Sequence, residues 1–327
     1  DEALLREIPS TIHGLLLNRY DHQPQELKSI LDVASVLGPR FHLSLLSAVL
    51  QIPEDELQPQ IQQLERAGLL RKGAGLSTSL YSFRHALLQE IIYETILFED
   101  RRRLHRTVAD TLQGLSGKYL IDDHAVIGYH LERSGSREAA EFLLQAAEES
   151  ASRYANQEAV SYYQRVQDIE QEGDLPQATV VETALGLGRV FRRLGKTADS
   201  LRELEAALVE SQKLPLSDYR RGDIHYQLGL TQYELREQED ALNHFLAALT
   251  ALDDHPESCQ DFRRTDVERE IGWVHYRLGR LQEAMDRAAH ALDLAVEGDN
   301  FQGEGSAHSL LAAIHFRKGQ LDRAIQH

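Results

Sequence analysis

Apolar residues recur at intervals of three and four along most of the chain, a spacing that predicts amphipathic α-helices. After about Asp122 this pattern continues to the last residue with almost no strand-like alternation. The earlier part also predicts helices, over residues 11–19, 25–37, 44–50 and 54–67. Two short apolar segments, 69–71 and 80–83, flank Lys72-Gly73-Ala74-Gly75 and predict one small β-hairpin. We therefore predict an all-α chain with two domains, residues 1–118 and 119–327, of which only the first contains strands.

The second domain repeats a single pattern. From Gly188, a large residue follows after three positions, glycine after seven, and small residues after twelve and nineteen. Further copies begin at Gly128, Gly229, Gly272 and Ala312. Because a small residue lets two helices approach and glycine permits a tight turn, each copy predicts a helical hairpin. The third copy departs from the pattern at Gln232 and Arg236, so its register is the least well defined.

This pattern resembles the tetratricopeptide repeat over about 200 residues. The later copies lie 40 to 43 residues apart, where about 34 is usual, so their helices or connectors must be longer. The last copy stops soon after its turn, and we expect it to be truncated. The resemblance implies an α-α superhelix whose concave face is formed by the first helix of each hairpin.

Such a concave face would bind a protein, a peptide or a small inducer. Arginine and aromatic side chains anchor protein interfaces most often, and we expect nine of them on this face. They are Arg189, Arg192, Tyr226, Tyr233, Trp273, Tyr276, Arg277, Phe316 and Arg317. The alternative is that the aromatic residues, which have helical spacing, belong to the core.

Three stretches of the first domain carry a second resemblance. They are LDVASVLGPRF from Leu31, YSFRHALLQE from Tyr81 and RRRLH from Arg101. In this order they resemble the segment that follows the ATPase module in bacterial STAND signalling ATPases, which include maltose-regulator-type activators and ATPases fused to adenylate cyclase. The resemblance implies that residues 1–118 form a winged-helix domain, with the hairpin as its wing, between an ATPase module and a repeat sensor.

The same resemblance gives roles to two sets of residues. His85 would contact the phosphate of ADP, but only together with the ATPase domain that holds ATP or ADP in the parent protein, so we expect no cofactor in this chain alone. An imidazole N–H is a suitable phosphate donor; the alternative is a structural histidine after the wing. Arg101, Arg102, Arg103 and Arg106 form a basic run, either a solvated helix face or an interdomain contact with the absent module.

Charge and cysteine content narrow the possible partners. With 35 basic and 52 acidic residues the formal net charge is −17, so most of the surface would repel nucleic acid. The predicted helix 54–67 is itself acidic, which disfavours DNA binding through it. The single cysteine, Cys259, excludes an internal disulfide and fits a cytoplasmic location. No apolar run is long enough for a membrane helix, so we expect no membrane partner.

Gly195-Lys196-Thr197 imitates the end of a nucleotide-binding loop. The glycine that such a loop needs five positions earlier is Val190, and the preceding residues have helical rather than strand spacing. We therefore interpret the triplet as a hairpin turn. The sequence contains no complete catalytic motif, and its 15 histidines lack metal-ligand spacing. We expect neither enzyme activity nor a bound metal.

These features predict the regulatory and sensor part of a STAND ATPase switch. The repeat groove would bind a partner or inducer, and the winged helix would pass this signal to an ATPase domain in cis that the chain lacks. The alternative is a free-standing tetratricopeptide scaffold for protein complexes. A weaker alternative is a DNA-binding transcriptional regulator. The sequence alone leaves open the inducer, the output domain and the oligomeric state.

Overall fold

The computed structural model of the chain describes residues 10–73, 79–115, 124–173, 175–215, 220–254 and 264–327. The chain divides into two compact units, Asp1–Leu143 and Leu144–His327. This division falls later than residue 118, so the first predicted helical hairpin begins in the first unit. The domain boundary at residue 118 itself stays a prediction. Cys259 and the predicted wing residues Ala74 and Gly75 lie outside the described residues.

The described residues of the first unit form helices and three short strands. In chain order its elements are α1 (Ser10–Asp21), α2 (Gln25–Leu37), β1 (Arg40–His42), α3 (Leu43–Leu50), α4 (Glu54–Arg66), β2 (Leu70–Lys72), β3 (Leu80–Phe83), α5 (Ala86–Thr95), α6 (Phe98–Leu115) and α7 (His124–Arg133). The four helices predicted before residue 70 are confirmed to within two residues at each end.

The strands form one antiparallel sheet in the order β1-β3-β2. The hairpin of β2 and β3 was predicted, whereas β1 was not. Three residues are too few to show an alternating pattern, and the partner of Arg40 in the ladder is Ser82, far along the sequence. Phe41 on β1 faces the core, with its ring centroid 6.4 Å from Tyr81 and 6.2 Å from Phe83. The winged-helix assignment remains a prediction.

The second unit is a succession of antiparallel helical hairpins. Helix α8 (Ala139–Ser152) spans the division between the units and is followed by α9 (Asn156–Glu172). The later helices pair as α10 (Gln177–Arg193) with α11 (Thr197–Ser211), α12 (Arg220–Leu235) with α13 (Gln238–Asp254), α14 (Arg264–Arg277) with α15 (Leu281–Glu297), and α16 (Phe301–Arg317) with α17 (Leu321–Gln326). The predicted repeat of helical hairpins is therefore present in this unit.

Each of these four hairpins turns at one residue in the left-handed conformation. Three are the predicted glycines Gly195, Gly279 and Gly319, with φ of 72°, 78° and 74°. In the third copy Arg236 takes the same place with φ of 67°. The following amide, that of Glu237, donates to the Gln232 carbonyl at 3.0 Å, as Lys196 does to Phe191 at 2.9 Å. The register predicted for the third copy is confirmed, and Gly195-Lys196-Thr197 is a turn between two helices.

Close helix contacts inside the hairpins depend on the small residues that begin the repeat pattern. A Cβ atom added at Gly188 would lie 2.5 Å from the Leu204 side chain, and one added at Gly229 would lie 2.6 Å from Phe245. Leu204 and Phe245 are fully buried. The core continues from one hairpin to the next, because each hydrophobic cluster also includes residues of the first helix of the following hairpin.

We expect Gly229→Ala to lower the free energy of unfolding by about 1–2 kcal/mol, since overpacking against the buried Phe245 ring costs more than helix propensity gains. Gly305→Ala is the matched control, because a Cβ there meets nothing within 4 Å; it should be neutral or stabilising by up to about 1 kcal/mol. Urea unfolding followed by circular dichroism measures both. Equal stability of the two variants would contradict the packing role of Gly229.

Candidate functional site

The nine side chains predicted for the concave face all lie on the first helices of their hairpins, α10, α12, α14 and α16. The structure divides them into three groups. An aromatic patch lies on α14 and α16, an arginine–tyrosine pair connects α12 to α14, and the remaining residues on α10 and α12 are paired or buried.

The α14–α16 patch consists of Trp273, Tyr276, Phe316 and Arg317. The rings of Trp273 and Tyr276 meet edge to face with centroids 5.5 Å apart, and both pack half-buried against the core of the last two hairpins. The Arg317 guanidinium lies 5.0 Å from the centroid of the Tyr276 ring and donates to the Tyr276 carbonyl. Phe316 precedes Arg317 on α16 and has 67% of its surface exposed. The patch therefore combines rigid rings with an open phenyl group.

Arg277 and Tyr233 form the contact between α12 and α14. The guanidinium carbon of Arg277 lies 3.7 Å from the centroid of the Tyr233 ring, and its Nη1 donates to the Tyr233 carbonyl at 3.2 Å. Burial raises the pKa of the Tyr233 phenol, while the positive charge of Arg277 acts in the opposite direction. This phenol stays neutral at physiological pH.

The other predicted residues are less available to a partner. Tyr226 lies in the core with 8% of its surface exposed, and burial raises its pKa. Arg189 pairs with the buried carboxylate of Asp223. Arg192 pairs with Glu234 at 3.0 Å. For Tyr226 the core alternative was therefore the better interpretation, and the two arginines are already neutralised within the array.

Sequence reasoning missed a recurring arginine contact between hairpins. Arg277 and Arg317 each donate to a tyrosine carbonyl in the last turn of an earlier first helix, 44 and 41 residues before them. Arg193 makes the equivalent contact with the Ala151 carbonyl, 42 residues before it, at 2.9 Å. Carbonyls in the last helical turn lack partners within the helix and carry partial negative charge, so an arginine stabilises them. A basic residue at the end of successive first helices was the sequence signal.

Further charges on the first helices are also paired within the unit. The pairs are Arg220 with Glu182 at 2.6 Å, Arg269 with Glu270 at 2.6 Å, and Arg287 on α15 with Glu268 at 2.7 Å. Because these arginines are already paired with carboxylates, the aromatic groups of the α14–α16 patch are better placed to contact a partner than the charged groups are.

In the first unit, two arginines of the predicted interdomain run contact the turn after α7. Arg102 Nε donates to the Ser134 carbonyl at 2.9 Å, and Arg106 forms an ion pair with Glu138 at 2.9 Å. These contacts leave both side chains engaged within their own unit. Neither of the interpretations of the basic run included such a contact.

The other two arginines of the run differ in exposure. Arg103 pairs with Asp100 at 2.7 Å and has 76% of its side chain exposed. Arg101 lies with its guanidinium 5.1 Å from the centroid of the Tyr93 ring. His85, the predicted phosphate contact, is exposed and comes directly before the first residue of α5. These positions are compatible with an interdomain contact by Arg103 and with an external ligand at His85, and both roles stay predictions.

Two buried histidines join α6 to α7. The Nδ1 atoms of His105 and His130 are 2.8 Å apart, and the Tyr93 hydroxyl lies 3.0 Å from His105 Nε2. Burial lowers the pKa of both imidazoles, and the nearby Arg101 and Arg133 guanidinium groups lower that of His105 further. In this contact one Nδ1–H donates and the other Nδ1 accepts. A second proton on either ring would make both Nδ1 atoms donors or would bury an unscreened positive charge, so both rings are neutral at physiological pH.

Two kinds of feature are absent from the described part of the chain. No helix there is both long and apolar enough to cross a membrane. Nor do three or more histidine, cysteine or acidic side chains come together there in an arrangement that could hold a metal ion.

No protein-family model matches the chain. An uncharacterized protein of Rhizobium meliloti (strain 1021) is 27% identical over 221 residues, which is 65% of this chain and 22% of that protein. The chain thus spans less than a quarter of the length of this curated relative.

Solved structures with similar helical arrangements have low sequence identity. BtubC from P. vanneervenii is 17% identical with a TM-score of 0.48, over 71% of this chain and 88% of that one. A putative kinesin light chain of Podosopora anserina with TPR-like repeats is 14% identical with a TM-score of 0.49, over 58% and 91%. MamA is 16% identical with a TM-score of 0.42, over 57% and 86%. At these identities, the function of these proteins does not follow for this chain.

We expect the stability gap between the wild type and His130→Gln to narrow as the pH falls from about 7 to about 5. The folded-state pKa of both histidines is lowered, so their stabilisation is complete above the unfolded value of about 6.5 and is lost as the pH falls towards the folded values. His130→Gln retains only His105 of the pair, so it loses less stability than the wild type as the pH falls. Urea unfolding at both pH values measures the gap.

His22→Gln is the control for this experiment. His22 is an exposed histidine of the same unit, and its removal should leave the pH dependence of stability as it is in the wild type. A gap for His130→Gln that stays constant over the pH range would contradict the assignment of a neutral buried pair.

Proposed function

We propose that the repeat unit is a scaffold that binds a protein partner through the α14–α16 patch. The observation that carries this proposal is the combination of the exposed Phe316 with two partly buried rings, Trp273 and Tyr276, beside the Arg317 guanidinium. Aromatic and arginine side chains of this kind dominate the energy of protein interfaces.

The patch is ordered by contacts within the unit. Trp273 and Tyr276 hold each other edge to face, and Arg317 is fixed to a Tyr276 carbonyl by a hydrogen bond. Side chains that are already fixed lose little conformational entropy on binding, so more of the contact energy appears as affinity. The partner we expect is a protein segment that places an apolar side chain on Phe316 and covers the neighbouring rings.

The scaffold role was the alternative to the STAND regulatory role in the interpretation of the sequence. It requires no domain outside the chain. The regulatory role in a STAND ATPase additionally requires a nucleotide-binding domain, and none of the contacts described above depends on one. The repeat geometry therefore favours the scaffold role for the chain itself, and any ATPase-linked function belongs to a longer protein.

We expect Phe316→Ala to weaken binding of a peptide selected on the wild-type chain by about tenfold or more, since a buried phenyl group at an interface contributes about 1.5–3 kcal/mol. The experiment is selection from a displayed peptide library, followed by calorimetric titration of the best binder. Phe301→Ala is the matched control, because Phe301 lies on the same helix and is 81% exposed but is outside the patch. Equal affinity of the two variants would exclude the patch as the binding site.

A second candidate function is the STAND regulatory role, favoured by the position of His85. This exposed histidine directly precedes α5, where the free amides of a helix N-terminus attract phosphate oxygens. A bound ADP would be held there by the His85 ring and by groups of another domain. The fit thus rests on one side chain and one helix end.

We expect the coding sequence upstream of Asp1 to contain a complete phosphate loop and an acidic strand if this second function holds. In that longer protein, His85→Ala should shorten the retention of ADP, measured by filter binding, because the imidazole donor is lost. A gene that begins near Asp1, or unchanged retention in the variant, would contradict the regulatory role.

A further inference from the structure

A pocket of about 330 Å³ lies on the sheet of the first unit, beside the start of the β2–β3 hairpin. The described residues that line it are Arg40, Arg71, Lys72, Gly73, Leu80, Tyr81 and Ser82. Three of these seven carry a positive charge and none is acidic, in a chain with a net charge of −17. The pocket is far in sequence from the α14–α16 patch, so a ligand site there does not depend on the proposed scaffold function.

The strand register places two of the arginines on the same face. Arg40 on β1 and Arg71 on β2 are both paired with Ser82 on the central strand β3. Residues directly opposite one another have Cβ atoms about 4.5–5.5 Å apart, so the two arginines flank the serine in one row. The Arg71 Nε atom donates to the Ser82 Oγ atom at 3.0 Å. This bond orients one guanidinium along the row, beside a hydroxyl group.

The positive charges of the row are not neutralised within the described part of the chain. No carboxylate among the described residues lies within 4.0 Å of a charged nitrogen of Arg40 or Arg71. The carboxylate of Glu65 is nearby, but it accepts from the backbone amide of Lys72 at 3.0 Å. Like charges side by side on a sheet repel each other, and a bound anion would remove this repulsion.

We propose that this pocket binds the phosphate group of a small molecule. Planar guanidinium groups donate two parallel hydrogen bonds to phosphate oxygens, and the Ser82 hydroxyl supplies a further donor. The volume of about 330 Å³ is at the lower end for small-molecule sites. A ligand of this size engages both arginines without extending beyond the pocket.

A long polyanion fits less well than a small phosphate. The chain has a net charge of −17, and Glu65 accepts a hydrogen bond from the backbone amide of Lys72, a residue of the pocket. An acidic surface repels phosphates that extend away from the site. The phosphate could belong to inorganic phosphate or to a small organic phosphate, and both present the same oxygens to the arginines.

The test is calorimetric titration of the full chain with inorganic phosphate and, separately, with glycerol phosphate. We expect one site per chain and at least about a tenfold weaker affinity in Arg71→Gln, because charge-assisted hydrogen bonds contribute about 1.5–3 kcal/mol. Arg137→Gln, which replaces an exposed arginine of the same unit, should bind as the wild type does. Circular dichroism and Tm establish that each variant is folded. Tighter binding of one probe identifies the source of the phosphate.

Three results would overturn the proposal. Equal phosphate affinity in the wild type and Arg71→Gln would place the ligand elsewhere. Loss of phosphate binding in His85→Ala, with Arg71→Gln unaffected, would place it at the start of α5. Tighter binding of a short DNA duplex than of either small phosphate, per phosphate group and at equal ionic strength, would make the sheet a nucleic-acid surface.

Discussion

The close approach of two helices within each hairpin is the constraint on which the repeat unit depends. At Gly188 and Gly229 the space that a methyl group would need is taken by a fully buried side chain of the returning helix. The hairpin geometry positions the next first helix, because the core clusters combine residues from one hairpin with the first helix of the next. Every side chain predicted for the concave face on α12, α14 and α16 therefore depends on packing inside a neighbouring hairpin.

Helix positions and hairpin turns could be predicted from the sequence because they are local. A turn needs one residue in the left-handed region and one amide bond to the preceding helix, and both are encoded within a few positions. Even Arg236, where the pattern has no glycine, adopts the turn conformation with φ of 67°, because the packed helices on both sides fix it. Strand β1 was missed because its hydrogen-bond partners are supplied by a distant segment.

The sequence predicted which helices carry the candidate site, but it did not predict which of their side chains are exposed. Spacing along a first helix indicates which residues share a face, yet it does not show whether that face meets solvent or the next hairpin. Tyr226 and Tyr233 are seven residues apart and so lie on the same face of α12. Tyr226 is nevertheless buried in the core, whereas the Tyr233 ring is covered by the Arg277 guanidinium. The pairing of Arg189 with Asp223 likewise depends on how adjacent hairpins pack. The pocket on the sheet could not be predicted because it requires β1.

The contact of Arg317 with the last turn of α14 has a mechanical consequence. The Arg317 side chain contacts both the ring and the backbone carbonyl of Tyr276, and the residue before it in the sequence is the exposed Phe316. A partner that pulls Arg317 away would leave the end of α14 without its positive cap. In an array where each hairpin touches only its neighbours, such a change alters the packing of adjacent hairpins and therefore the curvature of the array. The proposed binding surface and the contact between the last two hairpins therefore share the same arginine.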